Sequence, residues 1–110
     1  MGEMAKLVFV SAVGTRRDFD APRGASAMMI AITNGVDEIL AECGGSLACG
    51  ACHVYVEPSQ LPMLSPPSAA EDEMLEATAS ERRANSRLSC QIAMSEALDG
   101  LVLYLPPRQA

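Results

Sequence analysis

The chain has 110 residues, 49% of them hydrophobic and 20% charged, which fits one globular domain over 1–110 with a modest core and excludes a multidomain enzyme or a disordered chain. Eight Lys and Arg against fourteen Asp and Glu give a formal charge of -6, which disfavours phosphate backbones and anionic membranes as partners and favours a basic one. No Trp, one His and four cysteines leave little for base stacking and make the thiols the informative residues.

Leu7 to Ala12 is apolar, and Gly14-Thr15 supplies turn chemistry before Arg16 to Phe19, so the chain opens as a β-hairpin. Pro22 and Gly24 break the pattern. Ser26 then caps a buried helix over Ala27 to Thr33, stopped by Asn34-Gly35. Val36 to Glu42 adds a helical turn, with Val36, Ile39 and Leu40 inward. The stretch CGGSLACGAC from Cys43 to Cys52 holds too many small residues for a regular element and reads as a loop built around a ligand.

His53 to Glu57 alternates like a strand leaving that loop, and Pro58 to Pro67 is a proline-punctuated loop. Ser68 and Glu71 match a capping box opening a helix. On that helix Asp72, Glu73 and Glu76 fall on one side, with Met74, Leu75 and Thr78 opposite. Arg87 to Met94, carrying Cys90 and Ile92, is strand-like, and Leu101 to Leu105 is a further strand stopped by Pro106-Pro107. Hairpin, helix, loop, strand, helix and two strands define an α+β fold, a small mixed sheet with a packed helix and an extended loop.

Cys43, Cys49 and Cys52 stand at C-x5-C-x2-C, with Cys90 far downstream. Three thiols from one loop and one from a distant segment suit a binuclear iron-sulfur cluster, because the loop needs a remote ligand to close the cage. Thiolates select iron-sulfur clusters or zinc over magnesium, calcium or manganese. Gly44, Gly45 and Gly50 let the backbone approach the sulfurs and support the loop. A structural zinc site, which makes an interaction module, remains open, although Cys90 has no second cysteine nearby. So do a redox pair at Cys49 and Cys52, which a strand rather than a helix follows, and unrelated buried thiols. His53 reads as structural, since a Rieske centre needs two histidines.

With CGGSLACGAC, the following HVYVE, the acidic helix and the ending SRLSCQ…LDGLVLYLP, the chain closely resembles the adrenodoxin and putidaredoxin-like 2Fe-2S ferredoxins from about Lys6 to Gln109. The resemblance implies a β-grasp fold and one 2Fe-2S cluster, with Cys43 and Cys49 on the outer iron and Cys52 and Cys90 on the inner one. It implies an electron carrier, not an enzyme, between an FAD-dependent NAD(P)H ferredoxin reductase and a cytochrome P-450 monooxygenase. A ferredoxin serving iron-sulfur cluster assembly would share every ligand. The position of His53 beside the third cysteine also suggests a structural role.

Between Gly24 and Glu81 there is no Lys or Arg but nine acids: Asp37, Glu38, Glu42, Glu57, Glu71, Asp72, Glu73, Glu76 and Glu81. Such asymmetry around the ligand loop points to steered docking on a basic surface. Asp72, Glu73 and Glu76 are the first docking candidates, Glu42 the second and the tail at Arg108 the third. Some resembling proteins end in an aromatic that aids recognition, where this chain has Ala110. No apolar run approaches a bilayer span and the N-terminus has no long apolar core, so a bacterial-type cytoplasmic monomer without membrane insertion is expected.

Overall fold

The computed structural model describes residues 4–36, 53–76 and 81–106. Strands β1 (Met4–Val10) and β2 (Arg16–Pro22) form an antiparallel hairpin, closed where the Ser11 amide donates to Thr15 O and the Gly14 amide to Ser11 O. Gly14 adopts a φ of 91°, a left-handed conformation that a side chain would strain. Helix α1 covers Ala27–Thr33, as the pattern predicts, and Ser26 Oγ accepts from the Met29 amide at 3.1 Å. Beyond its end the Val36 amide reaches Ala31 O and the Gly35 amide reaches Ile32 O, a Schellman closure that turns Val36 into the core.

Strand β3 is His53–Val56, helix α2 is Ala69–Leu75, β4 is Ser86–Leu88 and β5 is Leu101–Tyr104. The five strands form one mixed sheet in the order β2-β1-β5-β3-β4, with β1 and β5 parallel and the other pairs antiparallel. Phe9, Leu103 and Val56 share one row across three strands and lie in a core that also takes Leu7, Leu101 and Val54 from the sheet. Ala27, Met28, Ile30 and Ala31 of α1 and Leu75 of α2 complete it. This is the α+β architecture expected from the sequence, a small mixed sheet with helices packed on it.

Two segments differ from the sequence reading. Residues 58–63 of the expected loop form a 3-10 helix, Pro58–Met63, despite the internal Pro62. From it Gln60 substitutes for a strand: its Nε2 donates to Gly100 O at 2.9 Å and its Oε1 accepts from the Val102 amide at 2.8 Å, pairing β5 where β3 has ended. The strand-like stretch from Arg87 stops at Leu88, and Cys90 lies on a 3-10 turn, Ser89–Gln91. Beyond it the chain is stitched to α1: Ala27 and Gly24 amides donate to Ile92 O and Met94 O, and the Met94 amide to Ala25 O.

Candidate metal centre

Cys90 is half-buried against the core at the exit of β4, with Ser89 wholly buried before it and Gln91 Nε2 3.5 Å from its sulfur. The turn is held on one side by β4 and on the other by the α1 stitching, so the thiol stands on fixed backbone. Cys43, Cys49 and Cys52 lie outside the described residues, as do Glu42, Gly44, Gly45, Gly50 and Arg108. Cys52 is bonded to His53, however, and His53 pairs with Leu88, two residues before Cys90. The sheet register therefore brings the exit of the cysteine loop and the remote cysteine to the same end of the β3-β4 pair. A half-exposed thiol at that place fits a cluster closed by one distant ligand.

His53 is wholly buried, its Nε2 2.8 Å from Ser86 Oγ. Ser86 Oγ also accepts from the Arg83 amide at 2.8 Å, tying the strand entry to the segment before β4. Burial, and secondarily the charges of Arg83 and Arg82, push the imidazole down to about 4, so it is neutral near pH 7. Its ring meets Tyr55 edge-on at 4.7 Å, and the Tyr55 hydroxyl donates to Glu81 O. Burial raises the Tyr55 phenol above its ordinary value.

Glu71 and Arg87 form a buried bidentate pair, with Arg87 Nε 2.7 Å from Glu71 Oε2 and Nη2 3.0 Å from Oε1. Glu71 Oε2 also accepts from the Leu88 amide at 2.9 Å, and Arg87 Nη1 donates to Ser65 O at 2.7 Å. Ser68 Oγ accepts from the Glu71 amide as a capping box requires, but the Glu71 carboxylate serves Arg87 and Leu88. The signal in the sequence was positional: Glu71 and the apolar Leu75 are four apart and share the inner face of α2.

Asp72, Glu73 and Glu76 are all exposed on the outer face of α2. Arg82 folds back onto that face, pairing with Asp72 Oδ1 and, at 3.1 Å, with Glu76 Oε1, and these contacts raise its already high pKa. Among the described residues Glu73 makes no ion pair, so it is the acid of the three left open to a partner.

The family model for the 2Fe-2S iron-sulfur cluster binding domain matches residues 11–95. Ferredoxin CarAc of a Sphingomonas species is 48% identical over 110 residues, covering 100% of both chains. A crystal structure of reduced putidaredoxin from Pseudomonas putida superposes with a TM-score of 0.94 at 43% identity, covering 96% of this chain and 100% of that one. Putidaredoxin in its covalent complex with putidaredoxin reductase matches with a TM-score of 0.92 at 44% identity, over 94% of this chain and 100% of that one. The chain belongs to the family of 2Fe-2S iron-sulfur cluster binding domains. It is a ferredoxin of the putidaredoxin type, an electron carrier with one 2Fe-2S cluster. No helix among the described residues is long and apolar enough to cross a membrane.

Proposed function

We propose that Cys43, Cys49, Cys52 and Cys90 hold the cluster, and that the chain, working as a single-domain monomer in a reducing cytoplasm, carries electrons from an FAD-containing NAD(P)H-dependent reductase to a cytochrome P-450 monooxygenase. The observation that carries the ligand assignment is the position of Cys90, on a pinned turn at the sheet end where β3 receives the chain from Cys52. When bound, the cluster supplies a one-electron couple. The chain's own residues supply a rigid, largely apolar mounting: His53 is buried and neutral, and the Glu71–Arg87 pair anchors the strand that leads to Cys90. Support for the reductase comes from the matching putidaredoxin, solved in covalent complex with its reductase. Glu73, Glu42 and Arg108 are the docking residues we favour.

Low-temperature EPR before and after dithionite tests the cluster. Two coupled ferric ions are silent, and one-electron reduction leaves a half-integer spin, so a signal with average g below the free-electron value is expected only after reduction. Silence in both states, with zinc in the metal analysis, would overturn the assignment.

A further inference from the structure

Cys90 and Gln91 share the 3-10 turn Ser89–Gln91, and both ends of that turn are fixed. The Leu88 amide before it is held by the Glu71 carboxylate. Ile92 after it donates its amide to Ser89 O at 3.2 Å, and its carbonyl accepts from the Ala27 amide at 2.9 Å. Ser89 and Ile92 are buried, which leaves the backbone under Gln91 little freedom. The Gln91 side chain is exposed and lines a cleft of about 260 Å³ together with Met63, Leu64, Ser65, Arg87 and Ser95. From there its Nε2 reaches back to Cys90 Sγ at 3.5 Å, and among the described residues the side chain has no other hydrogen-bond partner.

The contact has the chemistry of a donor aimed at a metal ligand. A metal-bound thiolate carries no proton and can only accept, so a carboxamide beside it must present its N–H side. Sulfur is larger than oxygen, which makes 3.5 Å a bonding distance where about 3 Å would serve for N–H···O. The cation that shares the cleft does not compete for the sulfur, because Arg87 is held by both oxygens of Glu71 and by Ser65 O.

We propose that Gln91 is a positioning residue for electron transfer: through the Nε2–H···Sγ bond to Cys90 it holds the reduction potential of the cluster above the value the site would have without it. The proposal rests on the reading of Cys90 as a cluster ligand. One-electron reduction adds a negative charge that iron shares with its thiolates. A hydrogen bond to an anionic acceptor strengthens as charge on that acceptor grows, so the donor stabilises the reduced form more than the oxidised one. No bond to Gln91 is made or broken covalently; the electron arrives from the reductase and leaves for the acceptor.

Two variants test the bond. Gln91→Met keeps the length and bulk of the side chain and removes the amide, whereas Gln91→Asn keeps the amide and shortens its reach by one methylene. In dye-mediated spectroelectrochemistry of the cluster-loaded protein, both are expected to shift the reduction equilibrium about threefold toward the oxidised form. At about 59 mV per tenfold for one electron, that lowers the midpoint by about 28 mV. Resonance Raman of the oxidised protein gives a second readout: the change in the Fe–S(Cys) stretches on transfer to deuterium oxide should shrink in Gln91→Met. Both variants alter an exposed side chain, so full iron content and parental unfolding in urea are expected. An unchanged midpoint in Gln91→Met would overturn the proposal. So would a midpoint that falls in Gln91→Met but holds in Gln91→Asn, because surface polarity rather than a bond to sulfur would then set the potential. Loss of iron from Gln91→Met would make the residue structural and overturn it as well. Failure of the ligand reading shows separately, as a Cys90→Ser protein that keeps its iron and its EPR signal.

Discussion

Glu71 accepts two hydrogen bonds from Arg87 and one from the Leu88 amide while its own amide is capped by Ser68, so one buried carboxylate joins α2, β4 and the route to Cys90. Removing the cation alone leaves that charge uncompensated in the interior, whereas replacing both partners by apolar groups removes the problem with the pair. Arg87→Met is therefore expected to lose roughly 3 kcal/mol of stability, and Arg87→Met/Glu71→Leu to recover most of it. Urea unfolding followed at the cluster absorbance measures both; a single variant as stable as the parent would refute the role. At Cys90 the expectation is compositional: Cys90→Ser replaces a soft thiolate by a hydroxyl and should leave protein with little bound iron as isolated. Full iron content with an unchanged EPR signal would remove Cys90 from the ligand set.

Helix α2 shows what the sequence could and could not disclose. Its start at Ser68, its exposed acids and its buried Leu75 follow from capping chemistry and a 3.6-residue period, and the same local rules place α1 and the hairpin. The pairing of Arg82 with Asp72 and Glu76 depends on how the chain returns toward β4, which no local pattern specifies. The 3-10 turn under Cys90 and the strand-like amide of Gln60 are likewise set by neighbours distant in the chain. The cysteine spacing made the 2Fe-2S cofactor legible because metal-ligand chemistry is written in residue type, whereas the buried Glu71–Arg87 pair is written in tertiary contact. The Arg82 pairing changes the docking expectation: a reductase cation must compete for Asp72 but finds Glu73 open. Glu73→Gln should lower reductase affinity more than Asp72→Asn, by about threefold at low salt, with little change in reduction potential. Calorimetric titration of the purified reductase decides it, and equal losses would show that only the summed charge matters.

At the scale of the molecule, nine of the fourteen acids fall between Gly24 and Glu81, a stretch without Lys or Arg, and Asp72, Glu73 and Glu76 stand exposed on α2. Four thiolates, two sulfides and two ferric ions add about two negative charges to the bare chain, and reduction adds one more, so the electrostatic field changes with the redox state. If docking follows the proposal above, a basic reductase surface is attracted to the oxidised carrier, and the approach is fast only while that attraction reaches beyond contact distance. The Debye length falls from about 30 Å at 0.01 M to about 3 Å at 1 M salt. The second-order rate of reduction by the reductase should accordingly fall at least about tenfold between those limits, with a smaller effect for Glu73→Gln because less attraction remains to be screened. A rate indifferent to salt would mean that apolar contact rather than charge brings the two together, and would move the recognition surface from α2 to exposed apolar residues such as Met29 and Ile32 of α1.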